Sequence, residues 1–200
     1  MAYEITKEEI EKVEKLEGEV RGAVFKTDQN FILKNFGESG IEKVEKKLDE
    51  IGHSFSYNEV KKMEFYPIKM RVFSLLAISS ALDLDKEGIK KMGKNAPHAS
   101  FLIKVFTKYF MSVEATLKKV GEIWERHFTT GRVEPVEVKE DEGYAVFRLY
   151  KGDFHPIFCT YLSGYLTAII GMVVGADVEG KETQCGFNGD NYHEFYMTWK

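Results

Sequence analysis

Between Phe154 and Ala176 the chain reads FHPIFCTYLSGYLTAIIGMVVGA, without one Asp, Glu, Lys or Arg. A helix of that length either crosses a bilayer or is covered on every side by protein. Two features favour burial. The flanks lack the Lys/Arg clusters that mark the ends of membrane helices. Gly164, Ala168, Gly171 and Gly175 recur at spacings of 4, 3 and 4, leaving one face nearly bare and suited to close packing on a sheet. The expectation is a buried helix and no transmembrane segment.

The residues around it supply the cover. RVEPVEV and YAVFRLY flank KEDEG, and DVEGKETQC and YHEFYMTW flank GFNGDN, so two hairpins enclose the apolar helix. Upstream, helical periodicity dominates. It marks residues 4–16, a helix to Phe36 capped by Thr27 or Asp28, Ile41–Ile51, a central helix from YPIKMRVFSLL, HASFLIKVFTKYF and Ser112–Phe128; EVRGAVF reads as an early strand. The pattern defines one α+β domain over 1–200, with 1–130 mostly helical and 131–200 hairpin-helix-hairpin. An antiparallel sheet of four to five strands is expected under a layer of helices.

Composition narrows function. The 28 basic and 32 acidic residues leave a net charge of -4 and no basic stripe, which argues against nucleic acid. Two cysteines are too few for a disulfide scaffold, and the charged MAYEITKEEIEKVEK start has no signal-like apolar segment, so a cytoplasmic location is expected. No P-loop, G-x-G-x-x-G, H-E-x-x-H or G-x-S-x-G motif is present. His53 and His98 sit where capping or surface roles suffice, and His127 lies on an apolar helical face. A protein without its own catalysis is expected; the alternative is an enzyme or accessory protein acting on a tetrapyrrole-like or other apolar substrate.

The last segment carries the strongest pattern. Cys185 to Phe195 reads C-x3-G-D-x2-H-x-F and resembles the C-x3-G-D-x2-C-x-F ending of four-vinyl-reductase ligand-binding domains, with His193 at the last cysteine position. Cys159, a Gly-rich helix, a strand and Cys185 follow that family's order. VRGAVF, FYP and Trp199 also resemble a myxobacterial domain family of unassigned function, and both families are similar in architecture to TRAPP subunits and haem nitric-oxide-binding proteins. The resemblance implies a domain that senses or handles a hydrophobic small molecule. It does not imply haem: the Tyr-x-Ser-x-Arg motif is missing, YPIKMR retains only Tyr66 and a displaced Arg71, and the expectation is against that cofactor, with a haem-linked gas sensor kept as an alternative.

Three site expectations follow. Phe101, Val105, Phe106 and Tyr109, with Phe73 and Leu76, form an aromatic stripe that either lines an apolar ligand pocket or is ordinary core. The surplus of apolar helix faces points to a homodimer. Cys159, Cys185 and His193 form either a zinc cluster, with His155 the nearest fourth ligand in sequence, or a structural turn with two buried thiols. For Cys185 and His193 to share a face, the hairpin loop must be odd in length.

Overall fold

The structure, a computed structural model, describes residues 2–99, 113–152 and 154–200. The described elements in chain order are α1 (Lys7–Glu14), β1 (Glu19–Arg21), α2 (Ala23–Glu50), β2 (Phe65–Pro67), α3 (Ile68–Ala81), α4 (Lys86–Ala99), α5 (Val113–Lys118), α6 (Val120–Glu125), β3 (Arg132–Lys139), β4 (Tyr144–Tyr150), α7 (Pro156–Val174), β5 (Val178–Gln184) and β6 (His193–Trp199). The fold is α+β, as expected, with a four-stranded antiparallel sheet in the order β3-β4-β6-β5 and a separate β1-β2 pair.

The apolar run is α7, long and apolar enough to cross a membrane, yet most of it is buried inside the domain. It begins where Pro156 presets the helical φ and the His155 Nδ1 accepts the Ile157 N–H at 3.1 Å. It ends at Gly175, whose φ of 70° is the left-handed cap that glycine adopts without strain. Gly164 does not rest on the sheet as expected. A Cβ there would lie 2.0 Å from the Lys90 carbonyl oxygen of α4, and one at Gly93 of α4 would lie 2.1 Å from the Tyr161 carbonyl oxygen. The two helices therefore meet backbone to backbone, glycine beside carbonyl. The opposite side of α7 sits on the sheet, where Gly180 of β5 leaves room for Thr167.

Strand alternation supplies the floor. His193, Phe195 and Met197 of β6 point inward with Ala145, Phe147 and Leu149 of β4, and the register pairs Phe147 with Phe195 and Leu149 with His193. Pro135 is accommodated because β3 is an edge strand with a bulge beside it.

The helical half differs in detail. Helix α2 starts at Ala23, so Asp28 is an interior, buried residue and not a cap; the expected break survives only as a kink at Gly37, with φ 68°. EVRGAVF is a strand for three residues, and FYP pairs with it instead of opening the central helix. Helix α4, absent from the sequence expectation, carries Pro97 inside it. Ser112–Phe128 divides into α5 and α6.

Because each glycine at the α4–α7 crossing faces a backbone carbonyl that no rotamer change can move, Gly164→Ala and Gly93→Ala are each expected to cost roughly 3 kcal/mol or more, at the upper end of overpacking losses. Urea denaturation checks this, with Gly175→Asn as a tolerated control.

Candidate functional site

The packing leaves a cavity of about 200 Å³. One wall is a stripe of α7, namely Phe158, Tyr161, Leu162, Tyr165, Leu166 and Ile169, spaced i, i+3, i+4, i+7, i+8 and i+11 on one helical face. Trp124 of α6 and Phe128, stacked at 4.1 Å, close another side. Arg71, His127, Lys26 and Lys62 place polar groups around this apolar chamber.

Two of these polar groups have unusual surroundings. His127 holds its Nδ1 2.9 Å from the Ile123 carbonyl oxygen one turn earlier. A carbonyl can only accept, so Nδ1 carries the proton and Nε2 keeps the lone pair. Burial pushes the imidazole below its ordinary value, partly offset by that hydrogen bond. Arg71, 1% exposed, is ion-paired with the equally buried Asp28 of α2. Its guanidinium also lies 4.7 Å from the Tyr161 ring centroid. Burial lowers the guanidinium from its ordinary value, and Tyr161 beside it pulls it back up.

A second cluster lies where the start of α7 meets the β5–β6 turn. One ligand atom each from Cys159, Glu182, Cys185 and His193 falls within 4.8 Å of the others. The His193 Nδ1 is 2.9 Å from Glu182 Oε1 and 3.4 Å from Cys159 Sγ. The register explains how they meet. Glu182 faces Phe195, but a bulge shifts the next pairing to Gln184 with Glu194, which brings Cys185 level with His193 and on the same side as Glu182. Asp190 fastens the turn by accepting the Cys185 N–H at 2.8 Å. Burial raises the Cys185 thiol, while the N–H groups of Phe187 and Asn188 pull it down.

The expected sites are only partly brought together. Cys159, Cys185 and His193 converge, and Glu182, not expected at a site, joins them. His155 is committed elsewhere, capping α7 and lying 3.5 Å from Glu9. Phe73 and Leu76 are buried, Phe73 stacked on His53 at 3.6 Å, and the described cavity lining is drawn from other residues. Phe101, Val105, Phe106 and Tyr109 lie outside the described residues. Arg71 and His127 were not expected at a site; only the truncated YPIKMR motif and a histidine on an apolar face hinted at them.

No family model and no curated protein matches the chain. Solved structures do. An H-NOX protein from S. oneidensis in the Fe(II)NO ligation state superposes with a TM-score of 0.68 at 10% identity, covering 90% of this chain and 99% of that one. An H-NOX mutant from T. tengcongensis gives 0.63 at 12% identity over 90% and 97%. An unliganded Fe(II) H-NOX mutant from K. algicida gives 0.67 at 9% over 90% and 96%. At these identities the likeness establishes the fold, the haem nitric-oxide-binding architecture. It also corrects the expectation against haem. One structural neighbour is described through its haem redox potential and porphyrin distortion, so the missing Tyr-x-Ser-x-Arg motif does not argue the cofactor away from this fold.

The buried imidazoles make stability depend on pH. His127 and His155 are both held below the ordinary 6.5 by burial, so the unfolded chain takes up these protons first. The stability is complete above about pH 6.5 and is lost as pH falls toward the lowered folded values. Urea midpoints are expected to drop between about pH 7.5 and about pH 5.5, and the drop is expected to shrink in His127→Phe.

Proposed function

We propose that this protein is a small-molecule sensor domain without its own catalysis, whose ligand occupies the cavity between α6 and α7, and that haem is the first candidate ligand. The observation that carries the reading is His127 on the cavity wall, its Nδ1 tied to a carbonyl and its imidazole kept neutral by burial. That is the tautomer and second-sphere hydrogen bond of a metal-ligating histidine. The donor set fits haem: His127 would ligate the iron, the aromatic and aliphatic side chains would hold the macrocycle, and Arg71, Lys26 and Lys62 would face its carboxylates. Bound haem would supply an iron that takes a diatomic gas, the chemistry named for the S. oneidensis neighbour. The protein's own part is to exclude water, hold the tautomer and pass occupancy on through α7.

Adding haemin to the purified protein is expected to give a sharp, shifted Soret band that responds to nitric oxide after reduction. His127→Ala is expected to abolish it. A spectrum no different from free haemin in both proteins would overturn haem and leave a different apolar ligand as the reading.

A second observation supports a metal centre beside the cavity. Two thiols, an imidazole and a carboxylate within 4.8 Å are the ligand types zinc prefers, and four protein ligands make a closed, structural site. The proposed ion ties the β5–β6 turn to the start of α7, and the Cys159-Cys185-His193 order is what the four-vinyl-reductase resemblance implies. Protein purified without a histidine tag is expected to contain about one equivalent of zinc, and Cys185→Ser or His193→Ala to lose it together with thermal stability. Less than about a tenth of an equivalent, unchanged by substitution, would leave only a buried-thiol turn.

A further inference from the structure

We infer that the segment before α1 is a strap that gates the cysteine–histidine cluster, with Tyr3 closing the groove by which a metal ion or a thiol reagent reaches Cys159. The inference concerns access to the proposed metal centre and rests on the geometry of the cluster, with or without an ion. A groove of about 290 Å³ runs past the cluster, and Tyr3, Thr160 and Asn188 line it together with Cys159, Glu182 and Cys185. Of the two thiols, Cys185 is half-buried whereas Cys159 is 2% exposed. Tyr3 reaches this wall from 157 positions away in the chain.

The strap is latched at two points. The Tyr3 N–H donates to Ser79 Oγ at 3.0 Å, and that hydroxyl gives its own proton to the Leu84 carbonyl at 2.7 Å. At the far end of the side chain, the Tyr3 and Thr160 hydroxyls lie 2.9 Å apart. Thr160 donates to the Pro156 carbonyl, so the phenol is the donor in this pair and must keep its proton. Burial pushes the phenol above its ordinary value, the Thr160 bond pulls it partly back, and Cys159 and Glu182 beside it raise it further. Residues 2–6 are neither helix nor strand, so no backbone ladder holds them in place. Helix α1 is fixed separately, by the buried Val13 and by the Glu14–Lys69 ion pair at 2.8 Å. The strap can therefore open while α1 and the domain stay folded, a local opening that needs less than the global free energy.

The test is alkylation of the full chain by iodoacetamide in the presence of a chelator, followed at each cysteine by mass spectrometry of the digested protein. Each thiolate forms one carbon–sulfur bond and displaces iodide, so Cys159 and Cys185, the two cysteines of the chain, report separately. Cys159 is expected to react more slowly than Cys185. Tyr3→Ala is expected to speed Cys159 at least about tenfold with the urea midpoint unchanged, and Tyr3→Phe, which keeps the ring and loses the hydroxyl, to fall between. If Tyr3→Ala does not fold, Thr160→Val removes the same latch and is expected to match Tyr3→Phe. A Cys159 rate equal to that of Cys185 in the unmodified protein, unchanged in these variants, or raised only as far as the urea midpoint falls, overturns the strap. Zinc content, measured on untreated protein, tests the metal centre independently of it.

Discussion

Everything in this fold depends on finding cover for one helix that is apolar on nearly all sides. Helix α7 gets it by an unusually close approach to α4, where Gly93 and Gly164 each stand against a carbonyl of the other helix, and by resting its other side on the sheet at Gly180. A methyl group at either crossing glycine would push the helices apart. The separation of α4 and α7 is thereby set by backbone contact, and the space left beside it becomes the cavity. The same helix presents Phe158, Tyr161, Leu162 and Tyr165 to that cavity and Cys159 to the metal-type cluster. Residues adjacent in sequence diverge by about a hundred degrees around a helix, so one turn of α7 serves two chemically different sites.

The buried Arg71–Asp28 pair belongs to a different energetic class. Desolvating two charges offsets most of their attraction, so a pair of this kind is weak evidence for stability, and breaking it from one side costs roughly 3–5 kcal/mol because a buried charge is stranded. It stands on the wall of the apolar chamber, with the Tyr161 ring against its guanidinium. His127 is set up just as simply. One backbone carbonyl determines which nitrogen carries the proton, and burial keeps the ring neutral.

The metal-type cluster shows how little separates a site from a turn. Without the one-residue bulge in β5, His193 would sit level with Gln184, and Cys185 would face the other side of the sheet. Beyond the bulge the strands pair about Gly189, which meets the odd-length requirement and sets Cys185 level with His193. The Gly-Asp pair of the C-x3-G-D-x2-H-x-F motif is accounted for by the φ of 96° at Gly189 and by the hydrogen bond from the Cys185 N–H to Asp190.

Periodicity and turn chemistry alone determined that 131–200 is hairpin, apolar helix, hairpin, and that the sheet is antiparallel. Those are local properties: alternation over seven residues and a glycine-bearing turn. Tertiary structure decided the rest. In a helix apolar all round, the cavity-facing stripe of α7 cannot be told from its neighbours, because no polar residue marks its edges. Asp28 looks like a cap until α3 places Arg71 beside it, and Cys185 falls on the outward side of the β5 alternation until a bulge turns it level with His193. Whether Gly164 faces a sheet or a helix depends on α4, half of whose residues are polar. Each of these is a contact between segments far apart in the chain, and a single chain's local pattern carries no record of which distant segment will arrive.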